Sequence, residues 1–72
     1  MAPSPGEILG ANVRAIRNRR GLSQEELGAE ADLHRTEISH LERASRDARL
    51  ATIVKVARAL RVPARDLLRG IE

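Results

Sequence analysis

Arg35, Thr36, Ser39 and His40 are the residues of this chain whose types and spacing can do chemistry. They lie in one stretch, RTEISHLER, whose only apolar members are Ile38 and Leu41. With Ile38 and Leu41 turned inward on a helix, at about 100° per residue, Thr36, Ser39, His40 and Arg43 point outward, and Arg35 sits at the N-terminal end. Such side chains hydrogen-bond base edges. Arginine pairs bidentately with guanine O6 and N7, and threonine offers a methyl to thymine as well as a hydroxyl. A protein-docking face would show large apolar anchors instead. The chemistry on offer is recognition, not bond-making. Ser39 and His40 are adjacent, so their side chains diverge by about 100° and form no dyad. With no glycine-rich phosphate loop and no nucleophile–base set, the chain does not read as an enzyme.

The elements that must hold this face follow from apolar periodicity. Helix 3 is expected from about Arg35 to Arg43. Ahead of it, Ser23 and Glu26 form a capping box that opens helix 2, with Leu27 and Ala31 inward and an end near Ala31 and Asp32. Gly28 is either a weak point in helix 2 or a place where helix 3 packs closely. Leu33 anchors the tight turn, so residues 23–43 make a helix-turn-helix unit. Helix 1 is expected from Glu7, with Leu9, Val13 and Ile16 as its stripe and Gly21 as its stop. Residues 1–6, MAPSPG, read as a flexible tail. Asp47 is a candidate cap for helix 4, whose stripe is Leu50, Ile53, Ala57 and Leu60, supported by Val56. Val62-Pro63 breaks that helix. Pro63 can sit in the first turn of helix 5, which runs from Ala64 to Arg69 and is closed by Gly70. No strand pattern appears. The expectation is an all-α, compact five-helix domain over residues 7–72.

Composition narrows the partners. The chain has 72 residues, enough for one domain, burying only about 60% of its unfolded surface. It has no cysteine, and its two histidines, His34 and His40, are spaced for different helix faces, so no metal or other cofactor is expected. Self-association is the expected extra source of stability. Lys plus Arg number 13 against 10 Asp plus Glu, a net charge of +3 too small to argue nucleic-acid binding by itself. Its distribution says more: arginines dominate from Arg14 to Arg20 and from Arg43 to Arg49. The chain has no Phe, Tyr or Trp. Single-strand and RNA modules stack bases on aromatic rings, so double-stranded DNA is the nucleic acid this chain suits. No apolar run of about 18 residues exists and no signal-peptide pattern opens the chain, so a cytoplasmic protein is expected, with no membrane and no small-molecule effector as partner.

Supporting roles are assigned around the face. Gln24 sits at the N-terminus of helix 2, where free N–H groups favour phosphate. Arg43, Arg46 and Arg49 follow helix 3 and are candidate phosphate contacts, which position without reading sequence. Glu37 can accept from cytosine or favour the helix start; the second is preferred. Thr36 is open between capping and base contact. Glu42 falls on the inner half of helix 3 and needs a partner; Arg17, on the edge of the helix 1 stripe, is the candidate for a structural ion pair. Val54, Leu68 and Ile71 are either ordinary surface apolar residues or a dimer interface.

Val13 to Arg43, VRAIRNRRGLSQEELGAEADLHRTEISHLER, and Leu50 to Leu68, LATIVKVARALRVPARDLL, together resemble the Xre family of helix-turn-helix regulators, the phage-repressor-like DNA-binding fold. The likeness spans nearly the whole chain, and GLSQEEL, LHRT-x-IS-x-LER and KVARAL at these intervals are specific in combination. It implies a five-helix fold with helices 2 and 3 as the reading unit. It further implies Gln24 on DNA backbone, Arg35, Thr36, Ser39 and His40 facing DNA, Arg17 paired with Glu42, and homodimers on paired half-sites. Three positions depart from the pattern. Ala44 stands where glycine often follows LER, which weakens the expectation of a left-handed turn. Ala48-Arg49 replaces a capping pair before helix 4, and Glu37 replaces an aromatic. The function expected is a sequence-specific, double-stranded DNA-binding transcriptional regulator. A restriction–modification controller, a phage-type repressor and an antitoxin all fit within it, the length leaning towards a controller or small autoregulator. The alternative from another class is a protein-interaction module built on the same helices.

Overall fold

The computed structural model describes residues 2–72 and contains, among them, five helices and no strand: α1 Pro5–Arg19, α2 Gln24–Ala31, α3 Arg35–Arg43, α4 Leu50–Leu60 and α5 Ala64–Leu67. The expected stripes meet in one core. Leu9, Val13 and Ile16 of α1 join Leu27, Ile38, Leu41, Val56, Ala57, Leu60 and Leu67. Leu27, Ile38 and Leu60, each almost wholly buried, sit at its centre.

α1 begins earlier than the composition of its first residues suggested. Ser4 caps it, accepting from the Glu7 N–H at 3.2 Å while the Glu7 carboxylate accepts from the Ser4 N–H at 2.8 Å. Pro5 fills the first helical position, where a missing N–H is no loss. Residues 4–6 are therefore not a loose tail; Met1 lies outside the described residues. Gly21, at φ 68°, ends the helix as expected.

Ser23 and Glu26 cap α2 by the same reciprocal bonds, at 2.9 and 3.0 Å. Asp32 then turns left-handed at φ 57°, and the Leu33 N–H closes back on the Gly28 carbonyl at 2.8 Å. That return decides between the two readings of Gly28. A Cβ there would lie 2.7 Å from the Leu33 carbonyl oxygen, so glycine is what lets the turn fold over α2. Gly10 plays the same part between α1 and α3: its Cβ would lie 2.6 Å from the carbonyl oxygens of both Leu41 and Glu42.

The later helices depart from expectation at their ends. Asp47 does not cap α4; the cap position is Arg49, two residues on, with no side-chain bond. Leu50, read as core, is 73% exposed, because at the first position of α4 it lies short of the body of the domain, and the buried stripe begins with half-buried Ile53. Pro63 is the cap of α5 rather than a residue of its first turn, and α5 stops at Leu67 instead of Arg69. Asn12 ties down this end: its side-chain amide donates to the Leu67 and Arg69 carbonyls, both at 2.9 Å, satisfying acceptors that the end of a helix leaves free.

Candidate nucleic-acid interface

The interface is built on α3. His34 caps it: Nδ1 accepts the Thr36 N–H at 3.0 Å. Of the two roles open to Thr36, capping thus falls to His34, and Thr36 stands exposed beside Arg35 on the first turn. One turn further on, Ser39 and His40 are half-buried and Arg43 is exposed, its Nε 3.4 Å from the Ser39 carbonyl. The opposite side of the helix is shut: Ile38, Leu41 and Glu42 are buried. Thr36, Ser39, His40 and Arg43 therefore share one outward side of the helix, with Arg35 exposed at its N-terminal end.

Glu42 holds that helix in place. Its carboxylate side chain is fully buried. Arg17 of α1 grips it with both arms, Nε to Oε2 at 2.6 Å and an Nη to Oε1 at 3.0 Å, while its other Nη donates to the Leu22 carbonyl at 2.8 Å. This is the bidentate geometry in which charge-assisted hydrogen bonds are strongest. Two further donors, not foreseen from the sequence, complete the cage: Arg14 Nε at 3.3 Å and Gln24 Nε2 at 3.1 Å, both on Oε1. Burial by itself raises the carboxyl pKa; the bonds from Arg17, Gln24 and Arg14 outweigh it and hold Glu42 below the usual carboxylate range. Arg17 moves the opposite way, raised chiefly by its bond to Glu42.

Gln24 thus has an inward partner. The side chain assigned to DNA backbone is half-buried at the start of α2 and spends one N–H on Glu42. Arg14 lies three residues from Arg17, on a neighbouring part of the α1 surface, a spacing that could have signalled it. Arg46 and Arg49 are exposed on the segment between α3 and α4. Together with Glu37, Asp47 and Thr52 they border a groove of about 460 Å³ beside His40. The acids there, Glu37 and Asp47, make this stretch less uniformly positive than its arginines suggest.

The α3–α4 junction also differs from expectation. Ala44 does turn left-handed, at φ 54°, although it is not glycine. Its N–H bonds to the Leu41 carbonyl at 3.3 Å and the Ser45 N–H to that of His40 at 3.1 Å, the paired closure that outweighs the strain of a Cβ in this conformation. The same closure brings Ser45 under the His40 ring, Oγ to Nδ1 at 2.7 Å. Desolvation, then the charges of Arg46 and Arg43, push the His40 pKa down.

The apolar candidates for self-association separate in the structure. Ile71 packs against the core, Val54 is half-buried, and Leu68 is 39% exposed. Leu50, one turn before Val54 on α4, is the most exposed large apolar residue described.

This ordering of helices, with two short helices around a left-handed turn, matches a known family model over residues 13–67, described as helix-turn-helix. The chain belongs to the helix-turn-helix family, of the Xre type. Family members with curated names include control protein C.BamHI of Bacillus amyloliquefaciens, 47% identical over 85% of this chain and 76% of that protein. Control protein C.SmaI of Serratia marcescens is 45% identical over 86% of this chain and 74% of that one. Among solved structures, the restriction-modification controller protein C.AhdI from Aeromonas hydrophila superposes with a TM-score of 0.84 at 35% identity, over 86% of this chain and 94% of that chain. The family and these relatives are transcriptional regulators, not enzymes. No helix among the described residues is long and apolar enough to cross a membrane.

Proposed function

We propose that this chain is a cytoplasmic, sequence-specific double-stranded DNA-binding regulator of the restriction–modification controller type, acting as a homodimer on a palindromic operator with α3 in the major groove. The observation that carries the reading is the outward side of α3. Arg35, Thr36, Ser39 and His40 form a polar face on a helix whose buried side is pinned by Glu42 to α1 and α2. Arg35 and Thr36 enter the groove first and meet base edges, as the N-terminal end of a recognition helix does. Gln24, Arg43, Arg46 and Arg49 meet phosphates around them. The likeness to controller proteins favours that role over an antitoxin or a phage-type repressor. Leu50, Val54 and Leu68 supply the apolar surface for a second copy, and the small size of the domain gives that contact a stabilising role.

Selection of a random duplex library on the purified protein, at about 150 mM salt, tests this. A palindrome with half-sites roughly 34–36 Å apart is expected, one turn of DNA. Retention of all sequences alike, lost as salt rises, would overturn it in favour of non-specific binding.

A further inference from the structure

His40 carries two ring nitrogens in different circumstances. Nδ1 lies 2.7 Å from Ser45 Oγ. Nε2 has no partner among the described residues, and since no buried side-chain nitrogen or oxygen among them lacks one, it is open to solvent. On the outward side of α3 that means open to whatever α3 meets. An imidazole with one nitrogen tied has its ring plane and its proton decided by the tie. Two arrangements are possible: Ser45 donates to Nδ1, leaving Nε2–H a donor, or Nδ1–H donates to Ser45, leaving Nε2 an acceptor.

The geometry separates them. A bond of 2.7 Å is the ordinary length for a hydroxyl donor and the short limit of the N–H···O range, which centres near 2.9–3.0 Å. In the second arrangement the serine proton is left with solvent or with the His40 carbonyl, at 3.4 Å, a long and weak bond. The charges nearby agree with a neutral ring: Arg43 and Arg46 disfavour a further cation, and the acids Glu37 and Asp47 make no bond to His40. Ser45 reaches the ring because the left-handed Ala44 folds the chain back, so this is a consequence of how α3 ends.

We infer that Ser45 is a positioning residue for DNA reading: its hydroxyl donates to His40 Nδ1 and so presents Nε2–H as a single oriented donor to a base-edge acceptor of the major groove. Guanine N7 and O6, adenine N7 and thymine O4 are the acceptors available there. A cytosine edge, which offers only an amino donor, is rejected. The inference rests on the proposed function, and it adds a residue outside α3 that sets what α3 reads.

The structure provides its own reference for the test. His34 Nδ1 accepts a backbone N–H, so His34 must be the Nε2–H form when neutral. His34 and His40 are the only histidines. In 15N spectra of the free protein at about pH 8, above the usual histidine range, His40 is expected to show the same Nε2–H pattern as His34. A His40 that carries its proton on Nδ1 overturns the inference without touching the function. On the selected operator, Ser45→Ala is expected to weaken binding about threefold to tenfold, the range of one net hydrogen bond, and to flatten preference at the same base pair as His40→Ala. Ser45→Thr, which keeps the hydroxyl, should restore both, and Ser45→Ala should add nothing on top of His40→Ala. Full operator preference in Ser45→Ala, or in His40→Ala, overturns the inference while the function stands. A wild-type protein that prefers no duplex takes both down together.

Discussion

Arg17→Met would leave the Glu42 carboxylate buried with its strongest partner gone. Removing one member of a buried pair typically costs about 3–5 kcal/mol, since the remaining charge is stranded out of water. Here two donors stay behind. Gln24 can still donate, and Arg14 can too, but Arg14 is 54% exposed and its attraction is screened by solvent. The expected loss is therefore at the lower end, about 3 kcal/mol. For a chain of 72 residues a total stability of about 4–11 kcal/mol is ordinary, so the loss is large. It corresponds to a fall in Tm of about 12–24 °C for a domain of this size. Arg17→Met/Glu42→Leu removes both charges and should return to within about 1 kcal/mol of the wild type, because a well-packed apolar pair commonly replaces a buried ion pair at little cost. Urea unfolding followed by far-UV circular dichroism measures all three, with the midpoint reporting stability so long as the slope is unchanged. A loss below about 1 kcal/mol in Arg17→Met, or a double variant as weak as the single one, would refute the reasoning that Glu42 is a charge held in place by Arg17.

Other expectations follow from the same structure. The Glu42 carboxyl is lowered on folding from an ordinary value of 4.5, so its contribution is complete above that pH and fades as pH falls through the lower folded value; acid titration of stability should show this limb in the wild type and a shallower one in Arg17→Met/Glu42→Leu. Gly10→Ala should destabilise by about 1–3 kcal/mol, since its methyl would press on two backbone carbonyls that cannot turn aside. Gly6→Ala, whose methyl would make an ordinary 3.5 Å contact with Ala44, should be neutral or stabilising in the same urea unfolding. In duplex binding, Arg35→Ala should relax preference at one operator position, whereas Arg46→Ala should weaken all sequences alike and reduce the salt slope by about one; equal effects of the two variants on ranking would overturn the division of base and phosphate contacts between them.

Much of the fold was legible because its signals are local. Ser23 and Glu26 stand three apart before an apolar run, and Ile38 with Leu41 fixes the inward side of α3, from which the burial of Glu42 follows by helix geometry; Arg17 is the candidate partner from the edge of the helix 1 stripe, and the family resemblance implies the same pair. Ser4 and Glu7 carry the same capping pattern, but the prolines and glycine around them suggested a tail; Pro5 at the first helical position is in fact favourable. Leu50 fits the α4 period, yet periodicity does not say where the body of the domain ends, and the first residue of α4 lies beyond it. Other features have no local signature. The need for glycine at position 10 comes from α3, thirty residues on. The inward turn of Gln24 depends on Glu42 being within reach, and the bond between Ser45 and His40 depends on a left-handed Ala44 that its residue type argues against.

If an apolar pair would serve stability as well, the buried carboxylate needs another justification, and the geometry of reading supplies one. Apolar packing sets how far α3 stands from α1 but tolerates rotation about its own axis. A bidentate arginine from α1 and an amide from α2, both fixed on one carboxylate, do not. Side chains reach about 5–6 Å from a helix axis, so a rotation of about 20° moves their tips by about 2 Å. Recognition by hydrogen bonds needs placement to within about 0.5 Å. The cage around Glu42 therefore acts on the opposite side of the helix from the one it touches: it sets the angle at which Arg35, Thr36, Ser39 and His40 are presented. On this argument the variant with an apolar pair in place of Arg17 and Glu42 keeps its fold and loses discrimination among operators, which separates what the ion cluster does for stability from what it does for reading.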